Sequence, residues 1–310
     1  MAANIETMFY TREKPWHGLG VRVMESPTSK DALRLAGLDW NVVQEPIYTQ
    51  TEEVIEGFKA NVRDTDRKVL GVVTDRYKII QNDKAFAFID ALLGEGVRFE
   101  TAGSLNGGRK VWMLAHMPRE YIISGERISP YLVFSNTHDG SGAVKTAITP
   151  VRVVCNNTLN LALNTAKRSW SMIHTGDVKG KLDEARNTLF MAEKYMDNLG
   201  KEFEHLRRIK MSDKEVMDYI ELLLPCDESA SPQQQKNIKR LRDDMMARYF
   251  DAPDLKDVGN NAYRFVNAVS DFATHAEPLR KTANYKENLF SKTVEGNPLI
   301  DRAYQMVLAS

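Results

Sequence analysis

The run Val54-Ile55-Glu56-Gly57-Phe58-Lys59-Ala60-Asn61-Val62, followed by Asp64-Thr65-Asp66 and then Val69-Leu70-Gly71-Val72-Val73, decides the fold. Phe58, Ala60 and Val62 alternate with polar neighbours, the period of a half-buried strand. Asp64-Thr65-Asp66 has the composition of a turn, and the β-branched run after it pairs back as a hairpin. Upstream, Trp40-Asn41-Val42-Val43-Gln44-Glu45-Pro46-Ile47-Tyr48 is a third β-prone run. Downstream, Asn82 is positioned to cap a helix over Asp83–Leu93, which Gly94 and Gly96 stop. The unit is therefore β-β-β-α, preceded by a short helix Lys30–Ala36 with Thr28 or Ser29 as its cap and Gly37 at its end.

The same grammar extends outward. Arg98–Ser104 and Lys110–His116 flank Asn106-Gly107-Gly108, a strong hairpin signal. Tyr131–Ser135 and Ala143–Thr149 flank His138-Asp139-Gly140-Ser141-Gly142 as a second hairpin. Val151-Arg152-Val153-Val154 reads as a further strand, separated from its predecessor by Pro150. A helix follows from about Thr158 to Ala166. Past Gly180 the period becomes helical: Leu182–Ile209, Ser212–Leu224, Pro232–Phe250 with Ser231 as cap, Asn260–Thr274 and Pro298–Leu308. Leu182, Leu189, Met196 and Phe203 recur every seven residues, a stripe for packing on other helices or for a coiled coil.

The expected fold is α+β: an antiparallel sheet half carrying the β-β-β-α unit, then an α-helical half. The expected division is an extended arm over 1–27, an α+β sheet core over 28–176 and a helical domain over 177–310. No apolar run reaches the roughly 18 residues of a membrane span. The N-terminus lacks a basic segment followed by an apolar core, so no secretory signal is expected. Cys155 and Cys226 have no CxxC spacing, and reduced cytosolic thiols are the simple reading. The expected location is the cytoplasm of a bacterial host cell.

The chain has 310 residues with 42 basic and 42 acidic side chains, a net charge of zero. That argues against non-specific coating of duplex DNA. Charge is locally biased, however. From Gly140 to Gly176 there is no Asp or Glu, while Lys145, Arg152, Lys167 and Arg168 fall inside the stretch. Single-strand binders need a cationic track for phosphates and aromatic faces for bases. Lys145, Arg152, Lys167 and Arg168, with Trp170 as stacking residue, form the candidate track. Asn156 and Asn157, before Thr158, suit either a helix cap or an anion at a helix N-terminus. The bland alternative is a buried strand and helix, from which acids are excluded anyway.

Other constellations are weaker. His138 beside Asp139 could serve as a general base or metal ligand, but the remaining histidines have no ligand spacing, and turn chemistry explains Asp139-Gly140. Cys155 after a β-branched run is most simply a small buried hydrophobe. Gly103 to Gly108 matches no phosphate-binding loop. No catalytic residue, metal or cofactor is assigned.

Five segments stand together: Ala36-Gly37-Leu38-Asp39-Trp40-Asn41-Val42, Leu70-Gly71-Val72-Val73 with Tyr77, Thr101-Ala102-Gly103-Ser104, Asn136-Thr137-His138-Asp139-Gly140-Ser141, and Pro150-Val151-Arg152-Val153-Val154-Cys155-Asn156-Asn157-Thr158-Leu159. Together they resemble a known family, the phage/plasmid-like proteins. The early Trp16-His17-Gly18-Leu19-Gly20 also resembles that family's start. The resemblance implies a mobile-element context and no settled chemistry. The element order over residues 29–93 also resembles the core of single-strand annealing recombinases, which implies rings or filaments that hold single strands in a basic groove. The expected function is thus single-stranded DNA or RNA binding, for annealing, recombination or protection without catalysis, by a homo-oligomer. A host-interaction or counter-defence protein without nucleic acid contact is the second reading, and a metal-dependent nuclease the third.

Overall fold

The computed structural model describes residues 5–11, 21–23, 28–86, 98–117, 119–123, 125–152, 157–158, 169–175, 192–279 and 297–309. The fold is α+β, with antiparallel-rich sheets in the N-terminal half and helices in the C-terminal half. Two compact units interleave along the chain. The first takes residues 1–119, 131–148 and 168–191; the second takes 120–130, 149–167 and 192–310.

The first unit holds two sheets. Strands β3 (Val42–Tyr48), β4 (Val54–Arg63) and β5 (Val69–Thr74) form the antiparallel sheet that alternation predicts. Its β4–β5 turn is fixed by Arg63, whose guanidinium donates to both carboxylate oxygens of Asp66 at 2.8 Å. Helix α1 (Ser29–Leu35) precedes it, with the Thr28 hydroxyl accepting from Asp31 N and Gly37 in the left-handed region at φ 62°. The other sheet runs β10 (Val144–Arg152), β9 (Glu126–Thr137), β7 (Lys110–His116), β6 (Arg98–Leu105), β1 (Ile5–Tyr10) and β2 (Val21–Arg22), with β12 (Ser169–Met172) also on β10. The β6–β7 turn has Asn106, Gly107 and Gly108 at positive φ, as its Asn-Gly-Gly sequence requires. Phe9, Ala102, Met113, Leu132 and Phe134 are fully buried along this sheet.

The second unit is built on helices. Helix α5 (Ala262–His275) is buried at every residue from Ala262 to Ser270, so it is the hub on which the others pack. Helix α2 (Ala192–Arg208) buries Tyr195, Met196, Leu199, Phe203 and Leu206, and Phe203 meets Tyr263 edge-on at 5.0 Å. Met196 and Phe203 of its heptad-like stripe therefore pack within the chain; Leu182 and Leu189 lie outside the described residues. Helix α3 (Asp213–Leu223) starts with a capping box between Ser212 and Glu215, and α4 (Pro232–Phe250) with one between Ser231 and Gln234. Arg264 of α5 donates to the carbonyls of Tyr249 and Phe250, satisfying the C-terminal end of α4. Helix α6 (Pro298–Leu308) packs on α5 and completes the set. The short strand β8 (Tyr121–Ile123) pairs with the start of β9, and β11 (Asn157–Thr158) with the end of β10. Among the described residues no helix is long and apolar enough to cross a membrane.

Three local expectations are corrected. Pro150 does not separate two strands, because β10 runs through it. It falls between residues 144–147, which pair with β12, and residues 151–152, which pair with β11. Thr158, expected to begin a helix, pairs with Val151 in β11, as Asn157 does with Arg152; residues 159–166 of that expected helix lie outside the described residues. Asn82 is helical with residues 83–86, but its side chain turns to the core instead of capping. Part of the arm, Ile5–Tyr10, is the strand β1, paired with β6.

Candidate functional site

Two places were singled out by sequence, the acid-free window and the His138-Asp139 turn. Within the window, β10 and β12 pair antiparallel with Lys145 opposite Ser171, Thr146 opposite Trp170 and Ala147 opposite Ser169. Directly opposed residues share a face, and successive ones alternate. Lys145, Ser169 and Ser171 therefore share one face, with both serines exposed. Trp170 lies on the reverse face, half exposed beside the buried Thr146. The ladder brings the cation together with hydroxyls, and not with the indole.

The backbone pairing sets Arg152 opposite Asn157 across β10 and β11. Asn156, Lys167 and Arg168 lie outside the described residues, as does Cys155. Ser169 and Ser171 were missed by sequence reasoning. The signal was present as the alternating Ser169-Trp170-Ser171-Met172, but a four-residue strand beside Lys167-Arg168 is easily taken for a helix end.

The His138 turn is a different environment. His138 is fully buried, and Trp40, Asn61, Gly71 and Tyr77 lie around it and its neighbours Thr137 and Asp139. Trp40, from the Gly37-Leu38-Asp39-Trp40 segment, meets its ring edge-on at 5.4 Å. Asn61 of β4 donates to the His138 carbonyl at 2.7 Å, and the Tyr77 hydroxyl to the Thr137 carbonyl at 2.5 Å. The backbone of Asp139 passes so close to Gly71 that a Cβ there would lie 2.5 Å from the Asp139 Cα. Gly71 thus lacks a side chain because this turn occupies the space.

Both histidines here have a defined tautomer. Asn82 Nδ2 donates to the Leu38 carbonyl at 3.0 Å, so Asn82 Oδ1 is the acceptor for His138 Nε2–H, also at 3.0 Å. His174 Nδ1–H donates to the Lys78 carbonyl at 3.0 Å, and its ring stacks on Tyr77 at 4.4 Å. The remaining nitrogens, His138 Nδ1 and His174 Nε2, carry lone pairs and are buried without a partner among the described residues. Burial, with a smaller contribution from His174, pushes the His138 imidazole down to about 3. Burial lowers His174 too, while the Lys78 carbonyl and Asp139 pull it back up. Burial, aided by Asp139, raises the Tyr77 hydroxyl.

A general base works best with a pKa near the operating pH and within reach of substrate. His138 has neither property. Asp139 is held by Ser141, whose N–H and hydroxyl donate to its Oδ1 at 2.9 and 2.6 Å. Among the described residues no group of three or more His, Cys, Asp and Glu side chains is placed to hold a metal ion. The turn is the structural joint between the two sheets of this unit, and its histidines are neutral, tautomer-locked parts of that joint.

No curated protein and no solved structure matches the chain. A family profile, described as a domain of unknown function, DUF932, matches residues 69–293, which cover β5 through most of the helical region, including the His138 joint and the β10–β12 ladder. The chain belongs to the DUF932 family.

Proposed function

We propose that this protein binds single-stranded nucleic acid without acting on it chemically, holding strands for annealing or protection in a mobile-element setting and assembling with copies of itself. What carries the reading is the acid-free β10–β12 ladder, where Lys145 shares a face with the exposed hydroxyls of Ser169 and Ser171. Lysine and serine are both phosphate-contacting residues, and the sequence from Gly140 to Gly176 contains no Asp or Glu. Arg152, Asn156, Asn157, Lys167 and Arg168 are the further contacts that the sequence suggests. The test is a fluorescence-anisotropy titration of a labelled 40-mer at low salt. Binding that weakens with salt, and weakens further in Arg152→Ala or Lys167→Ala, supports the reading; a wild-type protein that leaves the oligonucleotide free defeats it.

One feature favours a second reading, a protein-binding role with no nucleic acid contact. The β3–β4–β5 sheet exposes Tyr48, Val54, Phe58, Val69 and Val72, each at 46% or more. Apolar side chains so exposed on neighbouring strands are a signature of partner surfaces. Recovery of one stoichiometric protein after nuclease treatment, lost in Phe58→Ser/Val72→Ser, would favour this reading.

A further inference from the structure

Among the described residues, helix α4 is anchored at its C-terminal end. Its C-terminal half buries Met245 and Tyr249, and Arg242 is paired with Glu221 and with the Leu224 carbonyl. Its first turns are different: residues 232–236 are all exposed, as are Lys239 and Arg240. Local chemistry holds this exposed half helical, through the Ser231–Gln234 capping box, Pro232 at the first position and the Gln233–Asn237 side-chain bond at 3.1 Å.

This half-helix carries a concentration of positive charge that the net balance conceals. From Ser229 to Arg242 there is no acid, and four cations fall within the last seven of those residues. Lys236, Lys239 and Arg240 are spaced i, i+3 and i+4, so they project from one face with neighbouring Cβ atoms about 5–6 Å apart. None of the three has an ion-pair partner among the described residues, unlike Arg242, Arg248 and Lys214 on the same group of helices. The acid nearest in sequence on that side is Asp243, one turn on. Like charges at this spacing repel by about 0.2–0.5 kcal/mol per pair in an isolated helix, and a bound polyanion would turn that repulsion into attraction. The first turn also lacks the acidic residues that usually offset the positive end of a helix; it holds three glutamines instead.

We propose that the Lys236–Lys239–Arg240 stripe of α4 is a phosphate-contacting track for single-stranded nucleic acid. The proposal rests on the function proposed above and adds a surface to it, in a region that the acid-free window does not include. Long, flexible side chains on an exposed helix suit a polyphosphate chain of variable path, and point charges without base-edge contacts predict sequence-independent binding.

The test compares wild type with Lys236→Gln/Lys239→Gln/Arg240→Gln, which keeps good helix formers at all three positions. Circular dichroism confirms the fold, and anisotropy with a labelled 40-mer is measured from 50 to 300 mM salt. Each lost phosphate contact on a single strand lowers the salt slope by about 0.7. The triple variant is therefore expected to lose about 2 units of slope and roughly a hundredfold in affinity at 0.1 M salt. Wild-type binding with an unchanged slope in the variant overturns this track while leaving the nucleic acid reading intact. Absence of wild-type binding overturns both. Displacement of the oligonucleotide by polyglutamate as readily as by inorganic polyphosphate reassigns the stripe to an acidic protein and also overturns it.

Discussion

Replacing His138 by glutamine tests the structural joint quantitatively. Glutamine can still donate an N–H toward Asn82 Oδ1, but it does not titrate. In the folded protein burial holds the His138 imidazole at about 3, against an ordinary value of 6.5 in the unfolded chain. The folded state thus binds fewer protons than the unfolded state across that window. The stability from keeping His138 neutral is complete above about 6.5 and drains away as pH falls toward 3. For one group with these two values, the loss between pH 7.5 and 5.0 is about 2 kcal/mol. Wild type and His138→Gln are unfolded in urea at several pH values in that range, followed by circular dichroism. Glutamine is expected to be the less stable at pH 7.5, with the difference shrinking by about 2 kcal/mol by pH 5.0. His174, also lowered by burial, titrates in both proteins and largely cancels in the comparison. A difference that stays constant across the range would refute the claim that His138 is a buried neutral imidazole.

Gly71→Ala should destabilise the first unit by about 3 kcal/mol in urea unfolding, because the new Cβ meets Asp139 backbone, which cannot turn aside; an unchanged midpoint would contradict the close approach. Ser212→Ala removes one half of the capping box of α3 and should cost about 1 kcal/mol. The same change should let the Glu215 carboxyl rise toward its ordinary range by NMR titration, since the Ser212 hydroxyl bond is the largest cause holding it down.

The strand-and-helix grammar was readable wherever local signals agreed with the final fold. Asn106-Gly107-Gly108, Asp64-Thr65-Asp66, Ser212, Ser231-Pro232 and Gly37 each set a turn or cap by their own chemistry, and each turn or cap is present. Tertiary context overrode the rest. Asn82 looks like a cap, yet a fully buried His138 that needs an acceptor draws its amide inward. Pro150 looks like a break, yet β10 runs from Val144 through it to Arg152. Sequence also grouped Lys145 with Trp170, and only the cross-strand register separates their faces. The α4 stripe was legible as Lys236-Asn237-Ile238-Lys239-Arg240, but that no described residue pairs with it needed three-dimensional placement. Trp40, Gly71 and Tyr77 meet at the His138 turn, a convergence of distant segments that no local sequence pattern encodes.

The most direct measurement is the wild-type titration itself: a labelled single-stranded 40-mer, anisotropy read at 50, 100 and 200 mM salt, with light scattering on the same samples. We expect saturable binding whose affinity falls steeply with salt, by about 0.7 log units of K per log unit of salt for each phosphate contacted, and a mass larger than one chain on the strand. An oligonucleotide that stays free at 50 mM salt contradicts the account.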